Sequence, residues 1–208
     1  MAGMELYTAG TGNGQRAAIA VNECGVACTI HVLNLGQGDQ KKPDYLKINP
    51  TGRIPTLIDP DGPDGKPITV TQSWAVMLYL CEKTGKFLPS DPAARVRLYQ
   101  WYAEGAADYA PTNQTIFFLG ARMPEKVPDS AIKFYEDRFV NLWRFAEEQL
   151  AKTQYLVGDD ITAADLALYP IYAGRKGLLD AADFKYLGDW SNRVGGRPGV
   201  QKGMKLEI

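Results

Sequence analysis

Two apolar periodicities divide this chain, and the change from one to the other constrains its fold more than any single motif. Val26, Cys28, Ile30 and Val32 alternate with Ala27, Thr29, His31 and Leu33, the period of two of a strand with one more polar face. From Asp91 onward that alternation disappears, and helical periods run through Pro92 to Leu119, Ser130 to Ala151, Ala163 to Tyr172 and Phe184 to Val194. The break is at Lys86 to Pro92. Two prolines bracket a polar linker there, and Asp91 is placed to cap a helix with Pro92 at its first position. The expected organisation is a sheet-containing domain over 1–85, a linker over 86–91 and an all-helical domain over 92–208.

Within the first part, Met4 to Thr8 reads as a strand. The loop Gly10-Thr11-Gly12-Asn13-Gly14 follows, then a helical run from Gln15 to Cys24 that Gly25 stops. After the second strand comes a polar loop, Gly36 to Lys42, and a stretch from Tyr45 to Asn49 too short to assign. Arg53 to Asp59 and Ile68 to Thr71 read as a hairpin around Pro60 to Gly65, and Ser73 opens a helix over Trp74 to Lys83. Strand, helix, strand, crossover, hairpin and helix make a mixed four-stranded sheet flanked by helices, a thioredoxin-like α/β pattern.

Composition narrows the function classes. Among 208 residues, 23 Lys and Arg face 24 Asp and Glu, so the chain lacks the electrostatic footprint of a nucleic-acid or anionic-membrane binder. No apolar run reaches the length of a membrane span, and the N-terminus has no basic-then-apolar leader pattern, so a cytoplasmic protein is expected. The three cysteines, Cys24, Cys28 and Cys81, form no C-x-x-C pair, and His31 is the only histidine. Neither a disulfide scaffold nor a metal site is indicated. These cysteines lie in apolar segments where a free thiol behaves as a small hydrophobe, and His31 reads as a strand surface residue.

Two motifs at their spacing carry a family resemblance. Asn49-Pro50-Thr51-Gly52-Arg53-Ile54-Pro55, then Thr71-Gln72-Ser73-Trp74-Ala75-Val76-Met77-Leu78-Tyr79-Leu80, resemble the cytosolic glutathione transferases over essentially the whole chain. The Thr11-Gly12-Asn13-Gly14 loop looks most like the bacterial nu-class branch, whose members bind glutathione disulfide and reduce disulfides. The resemblance implies a thioredoxin-like domain joined to an all-α domain, glutathione as cofactor and a homodimer.

Each motif also has a physical reading of its own. An X-Pro bond such as Ile54-Pro55 reads as trans from the residues alone. The resemblance implies cis, with the Ile54 N–H and C=O turned outward like an unpaired strand edge to which a peptide can add. Ser73 at a helix start offers unpaired N–H groups and the positive dipole end to an anion, or serves only as an N-cap. In the family the γ-glutamyl carboxylate sits there, with Gln72 beside it. Thr11 and Asn13 occupy the place where a thioredoxin-like fold carries its reactive group. With no cysteine there, hydroxyl and amide donors at a helix N-terminus would instead stabilise the thiolate of bound glutathione; the bland reading is a Gly-rich turn that caps its helix. Tyr7 is the reserve donor, and Gln40 and Arg53 are matched to the glycyl end.

Thr162-Ala163-Ala164-Asp165 has the shape of a capping box, which makes Asp165 structural rather than catalytic. Among the aromatic residues of the first long helix, Tyr109 is the one expected nearest a pocket between domains. The implied activity is thiol–disulfide exchange with a small disulfide, or conjugation to an electrophile. A non-catalytic docking protein is the alternative, opposed by the intact Ile54-Pro55 and Gln72-Ser73 motifs. A reductase working through its own thiols would require an exposed Cys24 of low pKa.

Overall fold

The computed structural model describes residues 3–206. They fall into two compact units: residues up to Leu88 together with those from Gly195 onward, and Pro89–Val194.

In the first unit β1 (Met4–Thr8) leads into α1 (Gly12–Cys24), which ends where Gly25 takes φ +71°. The parallel strand β2 (Cys28–Val32) follows, then two short 3-10 turns and α2 (Pro43–Ile48), the stretch that sequence left unassigned. The hairpin β3 (Thr56–Asp59) and β4 (Ile68–Thr71) passes into α3 (Ser73–Thr84). The order is β2-β1-β3-β4, with β1 parallel to β2 and antiparallel to β3, the mixed four-stranded sheet expected. Met4, Leu6 and Thr8 are buried on one face of β1, while Glu5 and Tyr7 stand half-buried on the other.

The hairpin is tied to α3 by a buried carboxylate. Asp59, 1 % exposed, accepts from Tyr79 Oη at 2.5 Å and the Asp61 N–H at 2.9 Å and pairs with Lys83 Nζ at 2.8 Å. Burial by itself would raise this carboxyl, but the bonds from Lys83, Tyr79 and Asp61 outweigh it and hold it below the usual range. A folded-state pKa below the unfolded value of about 3.9 stabilises the fold above that value and stops doing so as pH falls through the folded one. Asp59→Asn is therefore expected to cost about 1–3 kcal/mol at neutral pH, with the deficit shrinking in acid, as urea unfolding at several pH values would read.

The last helix, α10, also belongs to this unit. Pro198–Met204 packs on α1 so closely that a Cβ on Gly203 would lie 2.5 Å from the Ile19 nitrogen. Glu23 of α1 receives Arg197 at 2.6 Å and the Val200 N–H at 3.1 Å, and Gln15 Nε2 donates to the Met204 carbonyl. These residues lie within the stretch read from sequence as the helical domain, yet they pack with the first unit. A short amphipathic helix has no periodicity that says which core it will join.

The second unit is helical throughout its regular structure. The first long run resolves into α4 (Pro92–Glu104), a π turn at Gly105–Tyr109 and α5 (Ala110–Ala121). It continues through α6 (Asp129–Leu150), α7 (Ala163–Gly174), α8 (Lys176–Asp180) and α9 (Lys185–Gly195), whose last residue falls past the division between units. Its core is an aromatic cluster: Trp143 meets Tyr109 at 5.0 Å, Tyr172 at 5.6 Å and Trp190 at 6.0 Å between ring centroids. Tyr109, expected near a pocket, lines one with Trp101, Glu104 and Phe145, although it is only 1 % exposed and donates its hydroxyl to the Leu142 carbonyl at 2.7 Å. It is a core residue. Asp165 completes the capping box at the start of α7.

Candidate functional site

Strand register gathers the marked loops. Tyr7 pairs with Thr56 and Thr56 with Thr71, while Thr8 lies beside Val32 in the parallel pair. The exits of β1, β2 and β4 and the entry to β3 therefore share one end of the sheet. Residues 9–14, 33–42, 53–55 and 72–73 emerge there.

Thr11 is the N-cap of α1, accepting from the Gly14 N–H at 3.3 Å, and α1 starts at Gly12 rather than at Gln15. Thr11 and Asn13 are both exposed at that helix start, where unpaired N–H groups and the dipole favour negative charge. Gly14 lets the turn close on β1: a Cβ there would lie 1.9 Å from the Ala9 carbonyl oxygen.

Ser73 is buried and is the first residue of α3, so the N-cap reading of it is corrected: Gln72 occupies that position, without a side-chain cap bond. Gln72 takes φ 71° and ψ 118°, a conformation that L residues rarely adopt and that persists only where its surroundings impose it. Its exposed side chain has no hydrogen-bond partner among the described residues.

The residue that joins these two helix starts is Arg16, which the sequence reading passed over. Arg16 is 1 % exposed, and its Nη1 donates to Asn13 Oδ1 and to Ser73 Oγ, each at 2.8 Å, while its guanidinium lies 4.3 Å above the Trp74 ring. The signal was present: an arginine leads the buried run Ala17-Ala18-Ile19-Ala20-Val21 on a helix whose other charged residue is Glu23. A buried charge needs partners.

The Ile54-Pro55 peptide is cis. Among the described residues neither the N–H nor the C=O of Ile54 has a hydrogen-bond partner. The loop around it is held from behind. Tyr45 Oη and Asn49 Nδ2 donate to the Arg53 carbonyl at 2.6 and 2.8 Å, and both also meet Thr56 Oγ1. Gln40 and Arg53 are brought near each other through Gly52, where a Cβ would lie 3.0 Å from the Gln40 carbonyl oxygen. Among the described residues Gln40 Oε1 is buried without a partner, the Arg53 side chain is exposed, and no hydrogen bond links either to the Asn13–Ser73 pair.

Tyr7 is occupied elsewhere. Its hydroxyl donates to Glu5 Oε2 at 2.9 Å, its ring stacks on His31, and burial together with Glu5 pushes its pKa up. The protein's own thiols are poorly placed for chemistry. The neighbouring Cys81 thiol lowers the pKa of Cys24, but Cys24 is 3 % exposed, and burial pushes Cys28 up to about 11. What the site offers is a set of donors at two helix starts and one unpaired backbone edge, suited to a short anionic peptide.

Residues 13–83 match the model of the glutathione S-transferase N-terminal domain, and residues 115–205 that of the C-terminal domain. The disulfide-bond oxidoreductase YghU of Escherichia coli (strain K12) is 32 % identical over 96 % of this chain and 73 % of its own length. YfcG, a disulfide-bond oxidoreductase of the same organism, is 28 % identical over 94 % of this chain and 91 % of its own. A glutathione transferase from Pseudomonas putida, solved with one glutathione disulfide bound per subunit, superposes with a TM-score of 0.88. That match covers 99 % of this chain and 92 % of the other at 27 % identity. Among the described residues no helix is long and apolar enough to cross a membrane.

Proposed function

The chain belongs to the glutathione S-transferase family, and on that premise we propose that it binds glutathione at the loop end of its sheet and activates it for exchange with small disulfides. The observation that carries the reading is the convergence of Asn13 and Ser73 on one buried arginine, which sets two helix N-termini side by side. The site fits the group. Among the described residues the Ile54 N–H and C=O have no partner and stand open to a peptide unit, Gln40 Oε1 is buried without one and can accept only from an N–H, and Ser73 opens α3 where a carboxylate is favoured.

Bound glutathione supplies the thiol. The chain's part is to stabilise negative charge on that sulfur. Thr11 has a hydroxyl proton to give while its oxygen accepts from Gly14, and Asn13 has an amide N–H2 to give while its oxygen accepts from Arg16. Both act beside the positive end of α1. The first unit by which these donors lower a thiol pKa from about 8.5 raises the thiolate fraction at pH 7 about eightfold, and the second about threefold. Ile54 and Pro55 would hold the peptide backbone, Gln72 and Ser73 its γ-glutamyl end, and Arg53 with Gln40 its glycyl end. The same activated thiol can instead attack an electrophile, and YghU and YfcG, named as disulfide-bond oxidoreductases, favour the disulfide. The reading includes a cytoplasmic homodimer, to be checked by light scattering.

Glutathione-dependent reduction of 2-hydroxyethyl disulfide tests it. Thr11→Ala or Asn13→Ala is expected to lower the rate by about three- to eightfold, the loss of thiolate at neutral pH that a rise of about one pKa unit brings. Efficient conjugation of aryl halides with no disulfide reduction would move the assignment to conjugation. Failure to bind glutathione at all would leave a docking protein.

A further inference from the structure

A guanidinium carries N–H donors and no acceptor, so every group facing Arg16 must accept. Its Nη1 has two hydrogens, and both are used, one on Asn13 Oδ1 and one on Ser73 Oγ. For Asn13 this settles which way the amide points. An asparagine side chain rotated by half a turn has almost the same shape, but oxygen and nitrogen trade places and a donor becomes an acceptor. With the oxygen held inward by Arg16, the N–H2 is the end left for the exposed side. For Ser73, an oxygen that accepts from the arginine keeps its own proton for another partner; Asn13 Oδ1 lies 3.4 Å away, at the outer limit of such a bond.

We propose that Arg16 is a positioning residue, which orients the Asn13 amide and the Ser73 hydroxyl so that both present hydrogen-bond donors to the anionic ends of bound glutathione. The proposal rests on the glutathione reading above and adds a residue to it. The stack of the guanidinium on Trp74 fixes its plane, and burial excludes the water that would otherwise compete for the same acceptors. Without Arg16 the amide is free to turn its oxygen outward, where lone pairs would oppose a thiolate.

The test uses Arg16→Met, which keeps an unbranched apolar stem but donates nothing, with Asn13→Ala and the double variant. The apparent pKa of the bound glutathione thiol, read from thiolate absorbance, is expected to rise by about one pH unit in Arg16→Met, about a three- to eightfold loss of thiolate at neutral pH. Asn13→Ala should do the same, and the double variant no more than the larger single effect, since one residue acts through the other. Arg16→Lys, which retains a donor, should fall between parent and Arg16→Met and stands in if the methionine variant does not fold. In the ligand-free protein, the side-chain amide resonances of Asn13 should shift toward those of a solvent-exposed asparagine in Arg16→Met. A double variant whose effect is the sum of the singles, or amide resonances that Arg16→Met leaves in place, overturns the proposal. If the parent protein binds no glutathione, the functional reading fails while the ligand-free resonances still decide whether Arg16 orients Asn13.

Discussion

Asp165→Ala is expected to destabilise the helical unit by about 3–5 kcal/mol, because it strips the acceptor from four neutral donors and each buried donor left unsatisfied costs about 1–3 kcal/mol. The Asp165 carboxylate is 0 % exposed. Its Oδ1 accepts from the Leu156 N–H at 3.0 Å and Trp190 Nε1 at 2.9 Å, and its Oδ2 from the Thr162 N–H at 2.9 Å and Thr162 Oγ1 at 3.1 Å. Alanine leaves these donors without water or protein to satisfy them. It also unpins Trp190, whose ring meets Trp143 and Tyr172 in the aromatic core. The loss therefore spreads from a helix cap to the centre of the unit. Thr162→Ala removes the two bonds of its hydroxyl, to Asp165 Oδ2 and from the Ala164 N–H, and should cost about 1 kcal/mol. Chemical denaturation of both variants decides the matter: an Asp165→Ala cost no larger than that of Thr162→Ala would mean that the box is an ordinary cap.

Gly14→Ala is expected to lower glutathione-dependent activity by about a hundredfold or more, because misplacing a catalytic group by an ångström is enough for that. The new Cβ would stand 1.9 Å from the Ala9 carbonyl oxygen and 2.6 Å from Thr8 Oγ1. Neither atom is the end of a flexible side chain, so α1 must move away from β1, and Thr11, Asn13 and Arg16 move with it. The overpacking should also cost about 1–3 kcal/mol of stability. Gly120→Ala is the matched control. That glycine is exposed in α5 with nothing within 4 Å of the added Cβ, so the change should leave activity alone and stabilise slightly. Near-parental activity in Gly14→Ala would show that the α1 start tolerates displacement, and would weaken the case that the Thr11–Asn13 loop must be held rigidly.

The chain's local chemistry was legible from its letters. Met4–Thr8, the Ile68–Thr71 hairpin strand, the stop at Gly25 and the Thr162–Asp165 box all depend on residues a few positions apart, and their periods and caps are local signals. The same holds for the loops that carry Thr11, Asn13, Ile54, Pro55, Gln72 and Ser73, which were marked by motif. What joins them was not. Arg16 and Ser73 are 57 positions apart, and only the folded sheet brings α1 and α3 close enough for one guanidinium to serve both.

By itself, then, the sequence determined the four strands, most of the longer helices and the family. The tertiary structure decided the direction in which α10 docks, the burial of Tyr109, the occupation of Tyr7 by Glu5 and the strained backbone of Gln72. The physical reason is range: periodicity and capping are energies of neighbours along the chain, whereas burial of a charge and the choice of its partners are energies of neighbours in space.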